Sequence, residues 1–506
     1  MKSKGLFFLS KFLNYVERIG NALPHPAILF GILALLVLLF SWLGSELNFS
    51  AFHPTTKEVI NTINLISKEG LHRIILEMVN NYTSFAPLGI VMVALLGIGI
   101  AESSGLISAI IRLLVLKTPS SLLIFIIVFV GIISNTASDL GYILIIPLAG
   151  VIFHSLGRHP IAGMSAAFAG VSGGFSANLL IGTIDPLLAG LSTEAAQIID
   201  PNYIVLPTAN YYFMAASTFV IAFMGTWITI KIIEPRLGKY NGDVTPETIE
   251  SLSSLEKKGI LYSFILFCFW VVIFLISLVP QNGFFRGTDN SVLHSPLLKG
   301  FISVLFLMSV SIGVLYGIIT KKFKTATDII KGMTDNFKSL APFLVLVFFA
   351  SQFVAWFKWS NLGLIFAIKG ATFLQEINLG LIPLLILFVL FSGFINLFMG
   401  SASAKWAIMG PVFIPMFMLL GYSPELSQAV FRIGDSVTNI ISPMMSFFAL
   451  IIVYYQKYDS KAGIGTIIST MIPYSFVFLI SWTLLLIIWI LLGLPLGPGA
   501  GIFYKI

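Results

Sequence analysis

Apolar residues run in long blocks along this chain, and polar residues collect between them. A bilayer core of roughly 30 Å takes about 20 apolar residues as a helix. Blocks of that kind lie at 26–43, 85–116, 212–233, 260–279, 297–320 and 471–495, and each predicts a membrane-spanning helix. Residues 119–156 differ. Two shorter apolar pieces, 121–133 and 140–156, flank the polar string Ser134-Asn135-Thr136-Ala137-Ser138-Asp139. Residues 379–421 repeat that plan around Met399-Gly400-Ser401-Ala402-Ser403, and segments 160–190 and 424–455 are interrupted by Gly or Pro.

Composition narrows the class. The 506 residues are 57% hydrophobic and only 10% charged, against about 25% charged for a soluble domain. This excludes a water-soluble enzyme, a disordered chain and a nucleic-acid binder. A single cysteine, Cys268, excludes a disulfide framework and a thiolate metal cluster. No Walker A loop, His-Glu-x-x-His or Gly-x-Ser-x-Gly string occurs, so ATP-driven transport and familiar hydrolase chemistry lack support. Residues 1–25 carry Lys2, Lys4, Lys11 and Arg18, and no small-residue cleavage site follows. They read as the flank of a retained first span rather than a cleaved signal.

The net charge of +7 is a topology signal. Of 29 basic residues, 19 fall in 1–25, 112–119, 157–159, 231–258, 321–340 and 456–470. The alternate segments hold 8, and Lys405 and Arg432 lie inside apolar regions. With the richer set cytoplasmic, the N-terminus is inside. Segments 112–119 and 157–159 then share a side, so 120–156 enters and leaves by one face as a re-entrant hairpin. Region 379–421 does the same from outside. Two full spans in each region would also restore the side; the short first pieces and polar turns favour hairpins. The expected fold is an all-α integral membrane protein of nine transmembrane helices plus two re-entrant hairpins. Its expected parts are an N-terminal span and outer loop (1–84), a first repeat (85–233, hairpin 120–156), two connecting spans with basic cytoplasmic loops (234–340) and a second repeat (341–506, hairpin 379–421).

The repeat is visible at a fixed offset of 264 residues. Pro147 falls on Pro411, Leu156 on Leu420, Gly157 on Gly421, Pro160 on Pro424 and Gly170 on Gly434. The first copy begins outside and the second inside, which makes an inverted-topology repeat. Secondary transporters of this build place their site at the midplane, between broken helices.

Broken backbone at membrane depth is tolerated where it is buried or lines a cavity, so each interruption is a candidate site. At the hairpin tips, Ser134, Asn135, Thr136, Gly400, Ser401 and Ser403 suit close approach to a dehydrated Na⁺ or an anion; the alternative is that they only cap their own helices. In 424–455, Arg432, Asp435 and Asn439 share one helix face, and Ser442-Pro443 breaks the helix one turn later. Charges at this depth are normally functional; a self-neutralising Arg432–Asp435 pair is the alternative. In 160–190, Asn178 and Asp185 share a face, and Asp185 either lines the site or caps the outer helix end. Glu102 and Asp139 are further buried-acid candidates; the alternative for Glu102 is a place at an unwound stretch near Ser103-Ser104-Gly105. His25 reads as a turn residue, and His154 and His159 are too isolated for a metal.

Several strings resemble the p-aminobenzoyl-glutamate transporter (AbgT) family. They are Leu23-Pro24-His25-Pro26, Ala137-Ser138-Asp139-x-Gly141-Tyr142 and Gly173-Gly174-Phe175-Ser176-Ala177-Asn178-Leu179. Longer ones are Gly400-Ser401-Ala402-Ser403-Ala404-Lys405-Trp406-Ala407, Tyr422-Ser423-Pro424 and Arg432-Ile433-Gly434-Asp435-Ser436-Val437-Thr438-Asn439. The resemblance spans nearly the whole chain. It implies a homodimer in the bacterial inner membrane that moves p-aminobenzoyl-glutamate by cation coupling, or exports sulfonamide antimetabolites and p-aminobenzoate. It implies a Na⁺ site at Asn396 and Asp435, and a substrate path lined or shaped by Asp185, Trp406, Pro424, Arg432 and Pro443. We add Asn439 to the substrate set from its place on the Arg432 face. No cofactor is expected beyond a coupling ion, Na⁺ or H⁺. Arg432 and Lys405 are placed to meet glutamyl carboxylates. Trp406 either stacks on an aryl ring or packs between hairpin and span.

Overall fold

The computed structural model describes residues 26–52, 58–116, 118–119, 121–137, 141–242, 244, 251–287, 290, 292, 295–377 and 379–504. The N-terminal segment with His25, and Asp139 at the first hairpin tip, lie outside the described residues. Among the described residues regular structure is almost wholly helical, and the one sheet is a two-stranded hairpin, β1 (Ser50–Phe52) against β2 (Val59–Asn61). Among the described residues, eight helices are long and apolar enough to cross a membrane, and Leu123–Thr136, Gly141–Ser155 and Leu381–Asn396 are shorter apolar helices. The short pieces are those expected from the sequence to form hairpin arms.

The first helices are α1 (Pro26–Glu46) and α2 (Lys68–Thr83), then α3 (Ala86–Ser103) and α4 (Leu106–Leu116). The first hairpin region holds α5 (Leu123–Ile133) and α6 (Ile146–Ser155), followed by α7 (Pro160–Phe168) and α8 (Ile184–Ala196). Next come α9 (Tyr211–Ile228), α10 (Ser254–Leu278) and α11 (Phe301–Ile319). The last part holds α12 (Ala326–Trp359), α13 (Leu362–Glu376), α14 (Leu381–Asn396), α15 (Ala402–Leu419), α16 (Pro424–Asn439), α17 (Phe448–Gln456) and α18 (Ile464–Leu491).

Two apolar stretches are broken. The block at 85–116 divides at Ser104-Gly105, and the stretch that opens the second repeat, from 341, divides at Ser360-Asn361. Glu102 sits half-buried in the last turn before the first of these breaks. The two breaks are built alike. Ser104 Oγ accepts from the Leu106 N–H at 3.2 Å, and Ser360 Oγ from the Leu362 N–H at 3.4 Å. Gly105 and Asn361 both take positive φ, 85° and 61°. Apolar residues flank both sites, and the few polar residues at them (Glu102 to Ser104, and Lys358, Ser360 and Asn361) do not end the apolar block, so averaged hydropathy reads each as one span. Helix α12 also begins earlier than expected, inside the basic segment 321–340. Asp328 accepts from the N–H groups of Lys324 and Thr325, each at 2.8 Å. These bonds hold its carboxyl below the ordinary range and start the helix. The boundary drawn at 340 therefore falls within α12.

The repeat persists in local geometry. Helices α7 and α16 both start on a proline at N1, Pro160 and Pro424. Burial pushes the His159 imidazole down, against the opposing charge of Asp459; this keeps it neutral to accept the Ile161 N–H that caps α7. Helices α8 and α17 start 264 residues apart, at Ile184 and Phe448. Gly157 and Gly421 end their hairpins with φ of 69° and 85°, a left-handed turn that a side chain would strain. Gly170 lies so close to α5 that a Cβ would strike the Val128 carbonyl; Gly434 meets the Val389 carbonyl of α14 in the same way. Asn135 and Asn396 each follow that valine by seven residues. Each amide donates to the carbonyl just past the glycine: Asn135 to Val171 O at 3.0 Å, Asn396 to Asp435 O at 2.7 Å. The arms before the tips thus match at an offset of 261, and the segments after them at 264. The second tip is three residues longer.

Candidate functional site

The broken segments of both repeats meet in the interior. After α7 the chain makes one wide π-turn (Ala169–Gly173) and stays non-helical until α8. After α16 it is irregular from Ile440 to Phe447. Four ionisable side chains collect here, all nearly sealed from solvent: Asp185 at 4% exposure, Lys405 at 0%, Arg432 at 2% and Asp435 at 1%.

Their pairing differs from the self-neutralising alternative. Arg432 on α16 pairs with Asp185 on α8, in the other repeat. Lys405 on α15 pairs with Asp435 on α16. Asp185 also accepts the Gly182 N–H at 2.7 Å through its second oxygen, so from the first turn of α8 it holds both the preceding loop and Arg432, without a cap bond to α8 itself. The expectation that Arg432 and Lys405 stand ready for glutamyl carboxylates changes accordingly. In this state each basic group already holds a carboxylate of the chain, which an anionic substrate would have to displace. Arg432 Nε has no hydrogen-bond partner among the described residues, so the guanidinium keeps one donor in reserve.

Around Asp435 the second hairpin supplies oxygens. Asn396 donates its amide to Asp435 O (2.7 Å), Thr438 Oγ1 (2.8 Å) and Asn439 Oδ1 (2.8 Å). Its own Oδ1 accepts from the Lys405 ammonium. Ser442 donates to the Asn396 carbonyl at 3.0 Å, which ties the break before Pro443 to the hairpin. The ammonium thus touches both residues expected to hold Na⁺. Carboxylate, amide and hydroxyl oxygens in a buried pocket are hard ligands suited to a small cation, and a cation there would compete with Lys405.

Other expected residues have plainer surroundings. Trp406 is fully buried, donates Nε1–H to Ser192 Oγ at 2.9 Å and stacks on Phe431 at 4.5 Å; of its two readings, packing describes this state. Ser192 donates onward to Gln428 (2.7 Å), and Gln428 to Asn210 (2.9 Å). Gln428 was missed in the sequence although it precedes Arg432 by four residues on the same face; Ser192 and Asn210 gave no signal. Pro424 is the buried first residue of α16. Ser401 caps α15 by accepting the Ala404 N–H at 3.3 Å and lies 3.2 Å from Ser403. Gly400 lies against the backbone of Met444 and Met445. Ser134 bonds its own arm at Gly131 O (2.6 Å), and Thr136 accepts from Asn178 at 3.1 Å. For Ser134 and Ser401 the capping role is thus present.

An apolar chamber of about 1040 Å³ opens between α3, α4, α10 and α11 and reaches Thr136, Leu180, Ile181 and Tyr211. The last three also line a small cavity that contains Asn178 and Asp185. The chamber therefore ends one side-chain layer from the Asp185–Arg432 pair.

Ionised pairs sealed at the breaks of repeated helices, beside a chamber, are the makings of a multi-pass membrane transporter. The chain belongs to the AbgT putative transporter family, whose model matches residues 11–504. It is 38% identical over 490 residues to the p-aminobenzoyl-glutamate transport protein of Escherichia coli (strain K12), covering 97% of this chain and 96% of that protein. Among solved structures it resembles the Alcanivorax borkumensis YdaH transporter, with 44% identity, 94% of this chain and 100% of that chain covered, and a TM-score of 0.89. It also resembles Neisseria gonorrhoeae MtrF, described within a class of antimetabolite efflux pumps, with 50% identity, 97% and 100% coverage and a TM-score of 0.92. The relatives are transporters, and this chain is a transporter rather than an enzyme.

Proposed function

We propose that this transporter moves p-aminobenzoyl-glutamate or related aryl carboxylates across the bacterial inner membrane by coupling to a cation. The observation that carries the reading is the buried Asp185–Arg432 pair joining the two repeats. An anionic substrate would take Arg432 from Asp185, and the contact that holds the repeats together would then depend on substrate. Asn396 and Asp435, with Asn439 close by, bind the coupling cation, Na⁺ in the first instance. Trp406, Pro424 and Pro443 shape the path, and the hairpin tips close it. Rigid movement of one bundle exposes the site alternately. The named activity of the Escherichia coli relative supports this substrate class.

A second reading is export of sulfonamide antimetabolites and p-aminobenzoate driven by the proton-motive force. The description of MtrF at 50% identity favours it. Proteoliposomes given labelled p-aminobenzoyl-glutamate or a sulfonamide outside, under an imposed Na⁺ gradient and then a pH gradient, separate the two. We expect accumulation of p-aminobenzoyl-glutamate under the Na⁺ gradient alone. Sulfonamide movement under the pH gradient alone would support export, and uptake indifferent to both gradients would sink coupled transport.

The membrane arrangement we propose is nine spans and two re-entrant hairpins, N-terminus cytoplasmic, in a homodimer. After Cys268→Ala, a cysteine replacing exposed Phe284 should react with an impermeant reagent added outside intact cells, and one replacing exposed Lys324 should not. The reverse pattern would overturn the orientation.

A further inference from the structure

The two repeats agree at one polar contact and part at the next. Asn135 and Asn396 make the same amide bond to the neighbouring break, to Val171 O and Asp435 O. Their carbonyl oxygens differ. Asn396 Oδ1 accepts from the Lys405 ammonium. Lys405 stands six residues before Pro411, and six residues before the matching Pro147 stands Gly141. No side chain fits there, because a Cβ on Gly141 would crowd Ser134 Oγ and the Val171 side chain. The first repeat thus lacks the tethered cation of the second. Asn135 Oδ1 has no hydrogen-bond partner among the described residues, although Asn135 is 4% exposed. Two hydroxyls on the adjoining break, Ser172 Oγ and Ser176 Oγ, are buried and equally without partners. Polar atoms this deeply buried are rarely left unpaired.

We propose that Asn135 Oδ1, with the hydroxyls of Ser172 and Ser176, binds a second monovalent cation in the first repeat, with Na⁺ as the fitting ion. Every one of these oxygens is neutral, and Val171 occupies the position of Asp435. A divalent ion normally draws on carboxylates; a monovalent ion accepts a neutral oxygen shell, as in channel filters built of carbonyls. The site adjoins the loop that carries Asp185. Gly182 lies against the Asn135 backbone, and Asn178 donates to Thr136 at 3.1 Å. A cation here would brace that loop and so order the carboxylate that faces Arg432. The inference rests on the reading of Asn396 and Asp435 as the first cation site, and makes the coupling ion number two rather than one.

Equilibrium binding of radioactive Na⁺ to the purified full-length protein in detergent tests it. We expect two ions per chain in the wild type, one in Asn135→Ala and one in Asp435→Asn. One ion in the wild type, unchanged by Asn135→Ala, overturns the second site and leaves the first. Loss in Asn135→Ala with none in Asp435→Asn overturns the first site and supports the second. No bound ion in the wild type overturns both. Should Asn135→Ala fail to fold, the double variant Ser172→Ala/Ser176→Ala removes only unpartnered hydroxyls. It should weaken one of the two affinities about tenfold, the scale on which metal sites respond to loss of single supporting groups; unchanged affinities overturn the proposal.

Discussion

Arg432→Met is expected to abolish transport and to cost roughly 3–5 kcal/mol of stability, since it leaves the Asp185 carboxylate buried without its partner. A buried pair is weak evidence of net stabilisation, yet removing one member strands the other charge in a medium that solvates it poorly. The double variant Arg432→Met/Asp185→Asn removes both charges and should regain most of the lost stability, because the two groups act as one unit. Transport should stay at background in both, as the guanidinium that receives the substrate is gone. Thermal melting in detergent and uptake of labelled p-aminobenzoyl-glutamate read the two effects separately. A double variant that transports would refute the role of Arg432, and one as unstable as the single variant would refute the pairing.

Lys405→Met is expected to make stability depend on Na⁺. The ammonium touches both Asn396 and Asp435, so its loss leaves a buried carboxylate and the Asn396 oxygen without their cation. In choline buffer the variant should lose roughly 3–5 kcal/mol. Na⁺ at a hundred times its dissociation constant should return about 2.7 kcal/mol by mass action. The wild type should respond less, because Na⁺ must there compete with a tethered ammonium. Adding Asp435→Asn should remove the penalty and cut the Na⁺ response to that of the first-repeat site alone. Equal melting of Lys405→Met in choline and Na⁺ would defeat the assignment of Asn396 and Asp435 to the coupling ion.

Both predictions come from residues that stood out in the sequence, but their pairing did not. Asp435, Lys405 and Arg432 were legible because a charge in an apolar block has few explanations. Asn135 and Asn396 were legible because amides at short hairpin tips have few as well. The break at Ser104-Gly105 was legible as an unwound stretch beside Glu102, whereas the break at Ser360-Asn361 was passed over, because two polar residues between long apolar runs leave little mark in a hydropathy pattern. Trp406 remained open between stacking on substrate and packing, since an indole on an apolar helix looks the same either way; its bond to Ser192 and its contact with Phe431 come from other helices. The 264-residue repeat was visible through prolines and glycines, which constrain backbone locally. The three-residue difference between the tips was not, because among polar residues Asn135 and Asn396 alone mark an offset of 261, and one pair does not establish a register.

The sequence by itself determined the membrane class, the two hairpin regions, the repeat and the small set of charges inside apolar segments. These follow from the cost of placing each residue in hydrocarbon and from backbone limits, which are properties of a residue and its near neighbours. Only the tertiary structure decided which charges meet. Arg432 has Asp435 three residues away on its own helix, yet it pairs with Asp185, 247 residues distant, leaving Asp435 to Lys405. That choice depends on how the two repeats dock, and a contact between helices of different repeats leaves no periodic trace along either one.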